Sequence, residues 1–170
     1  MAQTAVQRST GPHITRMSDR GVAWLSDLEG GCRLEAYLDT RGIPTIGVGM
    51  TEWPLSNRRV ELGDTIPSEQ VGMTLFRTEL RSYEAKVDSC TYDAISQETF
   101  DSMTSFCYNI GRAGFAGSTA VRLLNEGRPL MQVAEAMMLW DKPPEIVPRR
   151  QCEADLLVRG IYHLQGAKVA

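Results

Sequence analysis

The sequence predicts an α+β fold: a small N-terminal mixed lobe with a β-hairpin sheet, a long connecting helix, and a larger all-helical C-terminal lobe. Three observations carry this. Between Ala36 and about Leu62, Tyr, Ile, Thr and Val alternate with Gly and Pro, the composition of short antiparallel strands and hairpins. From Pro67 to about Val87, Val71, Leu75, Phe76, Leu80, Tyr83 and Val87 recur at helical spacing with no intervening proline. Past Ser89 the chain reads as shorter helices separated by glycines and prolines.

The elements follow in order. A loose polar tail, 1–14, precedes an N-terminal lobe over 15–65. Its first helix runs from Ser18 to about Glu29: Ser18 suits the N-cap, Asp19 favours the positive end, and Gly30-Gly31 stop it. Val22, Leu25 and Leu28 give that helix a buried stripe. The hairpin region comes next, then the connecting helix over 66–88, whose apolar stripe reads as core rather than partner surface. In the helical lobe, 89–170, helices are predicted near 97–109, 119–126, 130–140 and 149–159. Ser96 and Ser118 are the candidate caps; Gly111, Gly127 and Gly160 are the candidate stops.

Composition narrows the function. The chain has 170 residues, enough for one domain with a real core, and 42% are hydrophobic and 23% charged. A formal net charge of −3 makes no electrostatic case for nucleic acid, nor for drawing the whole molecule to an anionic wall. No signal peptide or membrane-spanning run is visible, so no membrane insertion is expected. Cys32, Cys90, Cys107 and Cys152 lack metal-site spacing and are read as reduced thiols; no metal or cofactor is expected. His13 and His163 fall near the ends and carry no role.

The chemistry concentrates in residues 29–49, Glu-Gly-Gly-Cys-Arg-Leu-Glu-Ala-Tyr-Leu-Asp-Thr-Arg-Gly-Ile-Pro-Thr-Ile-Gly-Val-Gly. One acid ends a helix, a second follows across a short connection, and a hydroxyl comes after it in a β-prone stretch. Splitting a glycosidic bond needs such a set, with a proton donor on one side and a carboxylate handling water on the other. Carboxylates roughly 6.5–9.5 Å apart leave room for the water, while about 5 Å favours direct attack. Taken singly, such acids are more often surface or turn-forming groups. Asp27, two residues before Glu29, points off another helix face, and Glu35 reads as solvent-facing. Cys32 reads as a partly buried thiol rather than a nucleophile.

The run Glu29-Gly30, Arg33-Leu34, Ala36-Tyr37, Asp39, Gly42 and Thr45-Ile46-Gly47-Val48-Gly49 resembles the signature of phage-type lysozymes, glycoside hydrolase family 24. The resemblance continues through Phe100-Asp101, Phe106, Asn109-Ile110-Gly111, Gly114-Phe115, Ser118-Thr119 and Leu123-Leu124-Asn125, then Trp140 and Arg149-Arg150 with Glu153. It thus covers most of 18–160 in the right order. Two departures stand out. Nine residues separate Glu29 from Asp39 where the family usually has eight, an insertion a glycine bulge near Gly30-Gly31 would absorb. Met50 stands where the family usually carries a structural His.

The resemblance implies a lysozyme-like fold and hydrolysis of the β-1,4 bond between N-acetylmuramic acid and N-acetylglucosamine in peptidoglycan. Glu29 would be the general acid, Asp39 the group activating water, and Thr45 its hydrogen-bonding helper, in an inverting reaction. Asn109, Tyr37 and Arg149 are the candidate substrate-binding residues. Asn109 binds a sugar amide or caps the helix end before Gly111; Arg149 or Arg150 pairs with Glu29 or belongs with Glu153; Trp140 reads as core rather than sugar platform. The resemblance further implies a monomeric endolysin in the host bacterial cytoplasm, released to the periplasmic wall by a separate holin. Two rival readings remain: a lytic transglycosylase, which typically works with one essential acid, and an inactive lysozyme-fold protein that binds peptidoglycan.

Overall fold

The structure, a computed structural model, describes residues 13–92 and 94–164. Most of the expected tail and the last six residues of the expected helical lobe therefore lie outside the described residues. The order is α1 (Asp19–Leu28), β1 (Arg33–Leu38), β2 (Pro44–Gly47), α2 (Glu69–Cys90), α3 (Gln97–Ile110), α4 (Arg112–Ala116), α5 (Thr119–Asn125), α6 (Leu130–Met138) and α7 (Val147–Arg159), with a 3₁₀ turn at Pro144–Ile146 before α7. Two compact units result: a mixed unit, Leu25–Arg81, and a helical unit made of the described residues on either side of it.

The helical unit is built on well-capped helices. Ser18 Oγ accepts the Gly21 N–H at 2.9 Å, Ser96 Oγ accepts the Thr99 N–H at 3.1 Å, and Ser118 Oγ accepts the Val121 N–H at 3.2 Å. Gly160 ends α7 in the left-handed conformation. Val22 and Trp24 of α1, Phe100, Met103 and Phe106 of α3, Phe115 of α4 and Leu156 of α7 are buried. Asp101 is buried among them and takes four hydrogen bonds: from the Ser18 N–H and Oγ, Gln97 Nε2 and Tyr162 Oη. Burial pushes its carboxyl up, against the pull of those donors. Gly21 is obligatory here, because a Cβ on it would sit 2.2 Å from Asp101 Oδ2.

In the mixed unit, β1 and β2 pair antiparallel, with Arg33 opposite Gly47, Tyr37 opposite Thr45 and Leu38 opposite Pro44, and an irregularity between Arg33 and Tyr37. Single isolated bridges join Glu35 to Thr65 and Glu52 to Arg59. Ile46, Met50, Val60 and Ile66 form a buried cluster, with Ala36, Trp53 and Leu75 packed on it. Met50 is fully buried and exchanges backbone hydrogen bonds with Ile46 at 2.9 and 3.0 Å. The position therefore serves as core, and an unbranched thioether fills it well. Beside it, Asp64 receives the Arg58 guanidinium on both oxygens at 2.9 Å and the Trp53 indole N–H at 3.0 Å. Arg58 is the main reason its carboxyl drops to about 2.

Several boundaries differ from expectation, each for a local reason. β1 starts at Arg33 rather than Ala36; its side chains are mostly exposed, so Arg33-Leu34-Glu35 shows no alternation to read. α4 has only five residues, too few for a periodic signal. α6 stops at Met138, and α7 begins two residues early because Pro148 is favourable in a first turn. Val71, expected in the α2 stripe, is 40% exposed, whereas Phe76, Leu80 and Val87 are fully buried. The four cysteines are free thiols, and burial pushes Cys107 up to about 12 and Cys152 to about 11. Among the described residues no helix is long and apolar enough to cross a membrane.

Candidate active site

Glu29 stands at the exit of α1. The Gly31 N–H bonds the Ser26 carbonyl at 2.9 Å and the Gly30 N–H bonds the Asp27 carbonyl at 3.1 Å, the paired closure of a Schellman motif. Glu29 is the C-cap of that motif, half-buried, while Asp27 is exposed. Gly30 and Gly31 have φ of +90° and +84°, a region that penalises any Cβ. The chain thus turns at two consecutive glycines before entering β1.

Asp39 opens the loop between β1 and β2. Its Oδ1 accepts the backbone N–H groups of Arg41 and Ile43, both at 2.8 Å, and its own N–H bonds the Ile43 carbonyl at 3.0 Å. The loop is thereby folded around the carboxylate, as Asp does in an Asx turn. Oδ2 has only the Arg41 Nε, at 3.6 Å. The Ile43 N–H chiefly, with the Arg41 N–H and guanidinium adding to it, outweighs burial and holds the carboxyl below its ordinary value. Asp39 is accordingly ionised, with one oxygen fixed by the backbone and the other turned to an exposed cation.

Thr45 joins the same loop. It is 3% exposed, on β2, and its hydroxyl donates to the Ile43 carbonyl at 3.0 Å. Its proton is therefore committed and its lone pairs are left to accept. Tyr37 lies opposite Thr45 on β1, its ring 4.2 Å beneath the Arg33 guanidinium. Glu29, Tyr37, Asp39 and Thr45 all belong to the mixed unit, and Ile43 links the last two.

The remaining sequence-chosen residues, Asn109 and Arg149, lie in the helical unit. Glu153 is fully buried between both arginines: Arg149 Nε contacts Oε1 at 3.0 Å, Arg150 Nη1 contacts Oε2, and Ser105 Oγ donates to Oε1 at 2.6 Å. Arg150 also donates to Asn109 Oδ1 and to the Trp140 carbonyl, with its guanidinium 4.9 Å from the Phe106 ring centre. Asn109 is exposed near the end of α3, its amide oxygen fixed by Arg150 and its NH₂ directed away from that bond. Trp140 is 39% exposed and meets Phe106 edge-on at 6.1 Å, which makes it core on one side only.

Sequence reasoning missed Glu79 of α2. Burial, then the charges of Glu29 and Glu52, push its carboxyl up to about 7. Its surroundings in sequence, Arg77-Thr78-Glu79-Leu80-Arg81, look like an ordinary solvated helix face. Only the spacing of three from the core residue Phe76 hints otherwise.

Comparison with known proteins identifies the family and the fold. The sequence pattern of the phage lysozyme family matches residues 27–153. The endolysin of Salmonella phage P22 is 37% identical over 149 residues, which span 85% of this chain and 99% of that protein. Among solved structures, an endolysin from Escherichia coli phage FAHEc1 superposes with a TM-score of 0.81 at 27% identity, over 92% of this chain and 99% of that one. The muramidase domain of SpmX from Asticaccaulis excentricus superposes with a TM-score of 0.69 at 28% identity, over 86% and 98%. With three-quarters of its length inside the family pattern, this chain belongs to the phage lysozyme family.

Proposed function

We propose that this protein is an endolysin that hydrolyses the β-1,4 bond between N-acetylmuramic acid and N-acetylglucosamine in peptidoglycan. The observation that carries the reading is the Asp39 loop: a carboxylate kept ionised by two backbone N–H groups and linked through Ile43 to a hydroxyl left only as an acceptor. Glu29 donates its proton to the glycosidic oxygen as the bond to the muramic acid carbon breaks. A water donates one hydrogen to Asp39 Oδ2 and the other to Thr45 Oγ1, which aims its free lone pair at that carbon. Asp39 takes the water's proton, and the product forms with inverted configuration. Asn109 offers its amide N–H to a sugar carbonyl, and Tyr37 offers its phenol and ring edge. Arg149 acts on substrate through the Glu153 and Arg150 group that fixes Asn109. No metal enters this scheme.

The test is digestion of purified peptidoglycan with mass spectrometry of the released muropeptides, using the wild type and Glu29→Gln. Reducing-end muramic acid products that vanish in the variant are expected. Anhydro products would make the protein a transglycosylase. Binding without products would make it an inactive wall-binding relative. The family relation also supports accumulation in the host cytoplasm, as a monomer, with release to the wall by a separate holin. Expression with and without a holin checks this: lysis in both cultures would contradict it.

A further inference from the structure

Several arginines of the helical unit are spent on acids: Arg16 on Glu84, Arg122 on Glu126, and Arg149 and Arg150 on Glu153. Lys86 of α2 and Arg112 of α4 are not. Among the described residues neither forms an ion pair, and the Arg112 guanidinium lies 5.6 Å from the Tyr83 ring centre. The acids nearest Lys86 in α2 are already taken, Glu84 by Arg16 and Asp88 by His13 Nε2 at 2.6 Å. Both free cations line one cavity of about 550 Å³, which lies wholly within the helical unit.

The sequence explains the hollow. Ser82, Ala85, Lys86 and Ser89 recur at three, four and seven, so they share one face of α2. Against that face α4 sets Arg112 and two alanines, Ala113 and Ala116, whose short side chains leave the space open. No carboxylate lines it among the described residues. Burial lifts the thiol of Cys107, and Arg112 and Lys86 both pull against that rise, so the two charges act on one point. A guanidinium forks onto phosphate oxygens, and an ammonium adds a compact point charge.

The hollow continues beyond the cations. A second cavity, of about 540 Å³, shares Ser89 and Ala116 with the first and carries Tyr92, which is 80% exposed. Asn125 fixes the wall there, accepting the Tyr92 N–H at 3.1 Å and donating to the Cys90 carbonyl at 2.8 Å. Ser89 Oγ donates to the Lys86 carbonyl at 2.9 Å, which leaves its lone pairs to accept from a ligand hydroxyl. Either volume suits a small organic group rather than a bare ion.

We propose that this trench is a phosphate-ester site, separate from the muramidase chemistry. Lys86 and Arg112 hold the phosphate, and the hydroxyl-bearing part of the ester runs over Ser89 and Ala116 to the Tyr92 ring. A free polyol phosphate and the glycerol phosphate headgroup of an anionic lipid present the same groups.

The experiment follows amide shifts during titration with inorganic phosphate and with glycerol 1-phosphate, against chloride at equal ionic strength. Saturable shifts at Ala85, Lys86, Arg112 and Ala113 are expected with both phosphates and not with chloride. Lys86→Gln and Arg112→Gln should each raise Kd about tenfold, the scale of one charge-assisted contact. Arg112→Lys should recover part of that loss. Glycerol 1-phosphate should bind more tightly than inorganic phosphate, and Tyr92→Ala should remove that advantage alone. Sedimentation with phosphatidylglycerol vesicles, against phosphatidylcholine ones, separates the sources. Capture lost in both Gln variants would assign a lipid headgroup; no capture beside glycerol phosphate binding would assign a soluble ester. Shifts no larger than those with chloride, or unchanged in both Gln variants, would overturn the site. Equal affinity for the two phosphates would overturn the role of Tyr92. Muropeptide release should be the same in every variant, so the two readings fail independently.

Discussion

In the hairpin loop, Asp39 keeps its charge close to solvent, with two backbone N–H groups on one oxygen and a distant arginine beside the other. In α7, Glu153 lies in a fully buried site, between two guanidiniums and a serine hydroxyl. The first arrangement costs little to build and leaves an oxygen available for chemistry. The second ties both oxygens to buried side chains, away from solvent. A carboxylate held by backbone is suited to reaction, and one held by side chains is suited to architecture.

Substitutions should separate the two. Glu153→Ala strands Arg149 and Arg150 as buried cations and should cost about 3–5 kcal/mol of unfolding free energy, read by urea denaturation. Asp39→Asn retains an oxygen for both N–H groups and should cost less than about 1 kcal/mol. Its turnover should nevertheless fall on the order of 100-fold or more, the usual scale for losing an acid–base group. A large stability loss in Asp39→Asn with residual activity would reverse the comparison.

Glu79 sharpens it on a third carboxyl, one that is half-buried with like charges nearby. Its value in the fold, about 7, lies above the ordinary 4.5. The protonated form is therefore the one the fold favours. Its contribution is complete below about pH 4.5 and is lost as pH rises through about 7. The full span is at most about 3 kcal/mol by the usual conversion. Asp39, lowered in the fold, has the opposite sign: its contribution is present above the ordinary carboxyl range and lost as acid protonates it. Glu79→Gln should therefore flatten stability between pH 5 and 8, and an unchanged pH profile would show that the fold does not hold this carboxyl protonated.

The smallest effect belongs to the exit of α1. Gly30→Ala meets no atom within 4 Å, so only the positive φ opposes it, at about 1 kcal/mol. A drop of a few degrees in Tm is expected. A fall in kcat larger than the stability change predicts would mean the turn also aims Glu29.

Much of this was legible in sequence where the cause is local. The caps at Ser18, Ser96 and Ser118 and the stop at Gly160 follow from what one side chain does to its own backbone. The acids were found because their spacing and neighbours form a family pattern. What stayed hidden depends on residues far apart in the chain. Arg150 meets Asn109 across 41 positions, and nothing in either segment announces the pairing. The raised carboxyl of Glu79 comes from tertiary burial and from charges on other elements. Glu52 and Arg59 read as ordinary surface charges until the fold pairs them across a bridge in the lining of one cavity.

The central claim is that water, held by Asp39 and Thr45, attacks the muramic acid carbon from the face opposite the bond that Glu29 protonates. Proton NMR of freshly cleaved strands, recorded faster than mutarotation, tests it directly. The α-anomer of the new reducing end should appear first. A β-anomer appearing first would mean direct attack by a carboxylate, and a 1,6-anhydro end would mean that no water attacks at all.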